Sequence, residues 1–298
     1  MTQDISRRNI VYRYVNVKTG LIKTRLPEYT YSINPYFGCS FACIYCYAIK
    51  YFYIKNIPYD WGTYVEIKVN LPDILKRELR RISLSNNDII GIGVSTDPYQ
   101  PIEAKVKITR KILDILVKRE ASISIQTKSP LVLRDIDLLK RSRNVDVGFT
   151  ITTLNDELAK AIEPYAPKPS SRLKAIKKLS EQGIYTWIFI GPILPYLTDD
   201  EKSLREIVIQ SYKARVNKIY TDNLRFRLGV RDSLLNFLRN YDSRLYYRYK
   251  NMTYNELFNL YRRAVNIVRD YAEAYNIEFE DVGYLPFSKS RSYRLDTF

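Results

Sequence analysis

Three cysteines, Cys39, Cys43 and Cys46, fall within eight residues of a 298-residue chain that has no others. A lone cysteine is often kept as a small hydrophobe. Three thiols, separated by three and then two residues, ask for a metal. A structural zinc takes four Cys or His donors in a tetrahedron, and this chain has no histidine. A closed Cys/His zinc site therefore cannot be completed, although a carboxylate or a water could stand as fourth donor. An iron–sulfur cubane is normally held by four thiolates. Three would leave one iron free for an exchangeable ligand. A redox disulfide fits less well, because an intracellular Cys-x-x-Cys of that kind rests on a different βαβ setting.

The stretch Cys39-Ser-Phe-Ala-Cys43-Ile-Tyr-Cys46 resembles the CxxxCxxC signature of the radical S-adenosylmethionine (SAM) superfamily, including the aromatic Tyr45 before the last cysteine. The wider segment Asn34 to Tyr47, with Thr96-Asp-Pro-Tyr-Gln-Pro-Ile-Glu103 further on, is similar to the spore photoproduct lyase-like branch. The resemblance implies a 4Fe–4S cluster on the three cysteines, with SAM chelating the open iron through its amino and carboxylate groups. It implies reductive cleavage of SAM to a 5′-deoxyadenosyl radical, and a one-electron reductant such as ferredoxin or flavodoxin. It further implies an α/β fold, a six-stranded partial (β/α)6 TIM-like barrel with the cysteine loop after strand one.

The elements that must position such a site read as strands alternating with helices. Candidate strands are Tyr29 to Ile33, Tyr64 to Val69, Ile89 to Ser95, Ser122 to Gln126, Val145 to Thr152 and Tyr185 to Ile190, with a weaker one at Lys218 to Asp222. Helical spacing occupies Leu71 to Ile82, Ile108 to Arg119, Leu131 to Arg141, Arg172 to Leu179 and Glu201 to Ala214. Ser129-Pro130 reads as a helix start and Gly183 as a stop. Alternation of this kind gives right-handed crossovers and a parallel sheet, in a barrel or an open doubly wound form. The domains expected are a lead-in at 1–28, with Val11 to Val15 as a short edge strand, the core barrel at 29–232, and a helical, Tyr/Arg-rich extension at 233–298.

In barrels the chemistry gathers at the C-terminal strand ends. By resemblance, Tyr45 lies near the nucleoside, Thr96 contacts the amino end of SAM, and Lys128 offsets its carboxylate; a turn and a snorkelling lysine are the bland readings. Thr152, in the run 150–153, has a hydroxyl for ribose or carboxylate. Glu163 and Arg172 match signposts of the branch, and Arg172 either grips a carboxylate in bidentate fashion or is a solvated helix-end charge. Ile190 and Ile193 suit an adenine face, or simply packing, and Gly191 permits close backbone approach.

The formal charge of +16, from 48 basic and 32 acidic residues, favours a polyanionic partner. Between Arg239 and Arg263 lie six tyrosines and six basic residues against two acids. Aromatic faces among cations suit single-stranded nucleic acid, so Tyr241, Tyr246, Tyr247, Arg248, Tyr249 and Lys250 are the expected binding residues for DNA or RNA. From Tyr254 a helix with Leu257, Tyr261, Val265, Val268, Ala272 and Tyr275 on one stripe reads as core. The last segment, from Val282, is expected to drape over the barrel mouth with Lys289, Arg291 and Arg294.

No run of about 18 apolar residues appears and the start lacks a signal-peptide core, so a cytoplasmic monomer is expected. With no spare cysteine, a thiol hydrogen relay of the kind the branch uses has no candidate near Val94, and an auxiliary cluster has no ligands. With no histidine, proton transfer falls to Tyr, Lys, Asp or Glu. The preferred reading is hydrogen abstraction from a nucleic acid, in repair or modification. Radical modification of a peptide or small molecule, and a non-catalytic metal-stabilised binding module, are the alternatives.

Overall fold

A computed structural model of the chain describes residues 9–85 and 87–283. The final segment past Gly283 and the first eight residues of the lead-in lie outside the described residues. The strands are β1 (Val11–Val15), β2 (Ile22–Lys23), β3 (Tyr31–Ile33), β4 (Tyr36–Phe37), β5 (Tyr64–Lys68), β6 (Ile89–Ile92), β7 (Ser122–Thr127), β8 (Asn144–Thr150), β9 (Tyr185–Ile193), β10 (Lys218–Asn223) and β11 (Glu278–Asp281).

Eight of them form one sheet in the order β11-β10-β9-β8-β7-β6-β3-β2. Its neighbours run parallel except the edge pair β2–β3. The six strands β3 and β6 to β10 carry the parallel barrel-like series, and its ends stay open because β2 and β11 do not pair. Alternation explains why this sheet curls round a hollow. Ile123, Ile125, Val147, Phe149, Ile188, Ile190 and Ile219 face the apolar core. Their neighbours Ser124, Gln126, Asp146, Thr150, Trp187 and Tyr220 line a cavity of about 800 Å³ on the other face. A parallel strand buried on both faces is usually apolar throughout; here one face is polar because it lines a cavity.

Helices Leu71–Leu79, Ile108–Lys118, Pro169–Glu181, Glu201–Lys213 and Tyr254–Ala274 bury their apolar stripes on the outer side. Leu257, Tyr261, Val265, Val268 and Ala272 are buried as the periodicity predicts. Gly183 ends its helix with φ +76° and open space around it, a conformation that favours glycine. The expected helix at Leu131–Arg141 instead opens as a 3-10 turn, Pro130–Asp135, capped by Ser129, before a single α turn at Ile136–Leu139.

One strand is elsewhere than the sequence suggests. Tyr64 to Val69 reads as the second barrel strand, but β5 lies in a separate three-stranded sheet, β1-β5-β4. Alternation of Val65 and Ile67 with Glu66 and Lys68 fixes which face is buried and says nothing about the pairing partner. The true sixth barrel strand is β10. The segment 233–283 adds β11 and the helices Ser243–Asn251 and Tyr254–Ala274, while Val230–Tyr241 precedes them.

A second apolar cluster holds the cysteine loop. Cys39, Phe41, Cys43 and Tyr45 pack with Leu234 and Leu238 of Val230–Tyr241, and with Tyr249 and Met252 beyond. These helices pack directly on the loop.

Candidate active site

The cysteine loop follows β3 and β4 and is tied down on three sides. Thr96 Oγ1 donates to the Gly38 oxygen at 2.6 Å, and Gln100 Oε1 accepts from the Ser40 N–H at 2.9 Å. The Ile44 N–H donates to the Ile162 oxygen at 3.0 Å. Trp61 Nε1 donates to the Cys43 oxygen at 3.1 Å, and the Tyr47 hydroxyl to the Val94 oxygen. All three cysteines line the cavity. Burial, then Asp97 and Cys43, raise the Cys39 thiol well above its ordinary value, and burial pushes Cys43 up to about 12 and raises Cys46. The thiolate is the form that ligates metal, and cationic iron would reverse these shifts.

Tyr45, Thr96 and Lys128 join the cysteines on the cavity wall. Thr152, Arg172 and Ile193 do not; they lie behind it, buried. What links the two groups is Glu163, 1% exposed. It accepts hydrogen bonds from the Tyr45 hydroxyl, from Thr152 Oγ1 at 3.2 Å and from Arg172 Nη2. Lys128 Nζ stands 4.0 Å from the same carboxylate and 5.6 Å from the Tyr45 ring centroid. The expectation that Arg172 grips a cofactor carboxylate is therefore corrected. Its guanidinium is 1% exposed, and its remaining N–H groups donate to the oxygens of Pro167 at 2.8 Å and Thr150 at 3.0 Å.

Electrostatic influences within this hub are opposed. Burial alone would raise the Glu163 carboxyl, yet Arg172 and Lys128 hold it below its ordinary value. Burial would lower the Lys128 ammonium, but Cys43 and Glu163 outweigh it and raise it. Lys128 is thus held as a cation at the cavity surface.

The Thr96–Glu103 segment is more than a turn. Asp97, Gln100 and Glu103, three residues apart, are all buried. Asp97 accepts from Thr127 Oγ1 at 2.7 Å and from the Lys128 N–H at 2.7 Å, which locks the end of β7 to the loop after β6. Glu103 accepts from the Tyr36 hydroxyl and from Arg134 Nη2, the latter at 2.8 Å. Sequence reasoning missed these roles, though the three-residue spacing of polar side chains was a readable signal. It also missed the cavity floor, where Asp146 accepts from Ser124 Oγ at 2.6 Å and Trp187 Nε1 at 2.5 Å. A Cβ on Gly148 would lie 2.2 Å from the Trp187 ring, so glycine there lets the indole lie flat.

Of the residues expected to bind nucleic acid, Tyr241, Tyr246, Tyr247 and Arg248 are at or near the surface. Arg239 lies 5.5 Å and Lys250 5.9 Å from the Tyr246 ring centroid, and Arg248 lies 4.6 Å from that of Tyr196. Tyr249 is a correction. The segment is a helix, Ser243–Asn251, capped by Asp242. Its inner face buries Tyr249 to 1% exposure, and the hydroxyl donates to the Pro195 oxygen at 2.8 Å. It anchors the helix rather than a ligand.

No helix among the described residues is long and apolar enough to cross a membrane. The model of the radical SAM superfamily matches residues 33–207. An uncharacterised protein of Methanocaldococcus jannaschii is 41% identical over 193 residues, covering 64% of this chain and 71% of that one. One of Mycobacterium tuberculosis is 30% identical over 273 residues, 89% of this chain and 77% of the relative. A solved spore photoproduct lyase mutant with bound AdoMet and dinucleoside spore photoproduct superposes with a TM-score of 0.69 at 15% identity, covering 92% of this chain and 82% of that one.

Proposed function

Because the chain belongs to the radical SAM superfamily, and is an enzyme with the fold seen in spore photoproduct lyase, we propose that it abstracts a hydrogen atom from a nucleic acid, at a base or a sugar. Cys39, Cys43 and Cys46 are the residues that would hold a 4Fe–4S cluster. A single ion needs donors converging on one point, and no three Cys, Asp or Glu side chains do so among the described residues. A cubane takes each thiolate at a separate corner, which fits this donor set. When bound, the cluster and SAM supply one-electron cleavage of a sulfonium C–S bond and hence hydrogen-atom abstraction. A reductant of the ferredoxin or flavodoxin kind is the partner such chemistry calls for.

The chain's own residues divide the remaining work. Lys128, kept charged between Cys43 and Glu163, offers its ammonium to the cofactor carboxylate. Thr96 holds the cysteine loop through Gly38. Glu163, Thr152 and Arg172 fix Tyr45 and Lys128 from behind. Ile193 packs beneath the wall.

One observation carries the substrate class: eight lysines and arginines line the cavity against four carboxylates. A wall with this excess of cations draws in phosphate. The Arg239–Tyr246–Lys250 cluster outside adds a stacking surface. The dinucleoside bound by spore photoproduct lyase supports a guest of that size in this fold. Since the chain has no cysteine beyond its loop, a modification without a thiol relay is the proposed outcome.

The test is anaerobic reconstitution and reduction, followed by a 5′-deoxyadenosine assay with single-stranded DNA and RNA. Product formation should rise with one of the polymers, and binding should weaken steeply with salt. A holoprotein that cleaves SAM but ignores both polymers at low salt refutes the substrate class and leaves a peptide or small molecule.

A further inference from the structure

The separate sheet β1-β5-β4 brings to the cavity a lysine that the cofactor end does not use. Lys68 Nζ donates to the Asn34 oxygen at 2.8 Å and lines the cavity. An ammonium has three N–H donors, and this carbonyl engages one. Burial and the neighbouring Lys55 push the Lys68 ammonium down to about 8. Lys55, also on the cavity wall, has its Nζ 3.9 Å from the Phe37 ring centroid and 3.9 Å from Glu66 Oε2. Arg13 sits opposite Glu66 in the strand register. Lys55 and Lys68 thus have Glu66 as their shared acid, and its Oε1 already accepts from the Tyr64 hydroxyl at 2.9 Å.

A purely structural lysine would be exposed or matched by its own acid, since an under-partnered buried cation destabilises the fold. Lys68 is neither. Beside it the Phe37 ring, stacked on Phe52 at 5.3 Å, turns its other face to Lys55. Two ammonium groups on one cavity wall match a phosphate, and the Phe37 face fixes where one of them stands. Lys128 does not compete for this role, because it stands at the cysteine end of the cavity beside Tyr45 and Glu163.

We propose that Lys55 and Lys68 form a phosphate subsite in the cavity wall, with the Phe37 ring holding the Lys55 ammonium in place. Its assignment to a strand phosphodiester rests on the nucleic-acid reading above. The subsite itself rests on the two lysines.

Anaerobically reconstituted full-length protein is titrated with fluorescein-labelled oligothymidylate across a salt series and, separately, with thymidine 5′-monophosphate and SAM. Lys55→Met, Lys68→Met and the double variant are compared with Lys177→Met, a charge-matched change on the exposed side of Pro169–Glu181. The double variant should bind oligothymidylate at least about tenfold more weakly, with a salt slope shallower by roughly 0.7 to 1.4. Lys68→Arg should restore most of the affinity, and SAM binding should be unchanged. A double variant that matches Lys177→Met, or that loses SAM affinity instead, overturns the subsite. Wild-type protein that ignores oligothymidylate but binds the monophosphate in a Lys68-dependent way sinks the nucleic-acid reading and keeps the subsite, for a free nucleotide. Binding of neither probe overturns the subsite.

Discussion

Replacing Glu163 by glutamine should unfold this protein more readily than almost any other single polar change. Glu163 and Arg172 are each 1% exposed. Without the carboxylate charge, the Arg172 guanidinium keeps the Pro167 and Thr150 oxygens as acceptors but loses its counter-ion. Removing one partner of a buried pair costs about 3–5 kcal/mol. Glutamine retains the shape and some of the hydrogen bonds, so the lower end, about 3 kcal/mol, is expected. The comparison is Asp156→Asn. It breaks the Lys168–Asp156 pair, whose side chains are 72% and 45% exposed, and should cost under about 1 kcal/mol. Guanidinium unfolding of the apo-protein, followed by circular dichroism, reads both. Glu163→Leu combined with Arg172→Met should recover at least about half the loss, because two apolar groups leave no charge stranded. The reasoning is refuted if Glu163→Gln and Asp156→Asn unfold at the same denaturant concentration, or if the double variant is as weak as the sum of its parts.

Other expectations follow from single contacts. Cys43→Ala should abolish the visible absorption and iron content of the reconstituted protein, since two thiolates do not retain a cubane. Thr96→Val removes the donor to the Gly38 oxygen, and the cluster should be lost faster on chelator challenge while the protein stays folded. Gly148→Ala places a methyl 2.2 Å from the Trp187 ring. It should cost about 1–3 kcal/mol and shift the tryptophan emission as the bond to Asp146 breaks. Oligonucleotide affinity should fall as pH rises through about 8, where Lys68 loses its proton, and Lys68→Met should be flat there. Its charged neighbours are Lys55, Glu66 and, across the strand pair, Arg13. The sign for stability is opposite. The unfolded chain holds that proton up to its ordinary value of 10.5, so folding gains with pH between the two values. A wild-type affinity constant across that range would show that Lys68 does not touch the ligand.

The cysteine loop and the strand ends around it were the most legible part of the sequence, because such chemistry is written in residue types and short spacings. Cys39, Cys43, Cys46, Tyr45, Thr96 and Lys128 line one cavity. The six-strand series was also readable, since hydrophobic alternation is local. What could not be read was anything fixed by distant partners. β5 has the pattern of a barrel strand and pairs elsewhere, with β1 and β4. Arg172 has the composition of a ligand-gripping residue and is instead sealed behind the wall by a glutamate nine positions earlier. Tyr249 sits in a run of aromatic and basic residues that looks like one surface. Only its helical phase, set by the Asp242 cap, turns it inward while Tyr247 remains 61% exposed.

The helices Val230–Tyr241 and Ser243–Asn251 pack on the thiol loop from far along the chain, while its sulfurs stay open to the cavity. The rigidity of the ligand trio is thus borrowed from segments that supply no ligand. A substitution at Leu234 or Leu238 would loosen the sulfurs without touching them, and iron retention would report on packing in those distant helices.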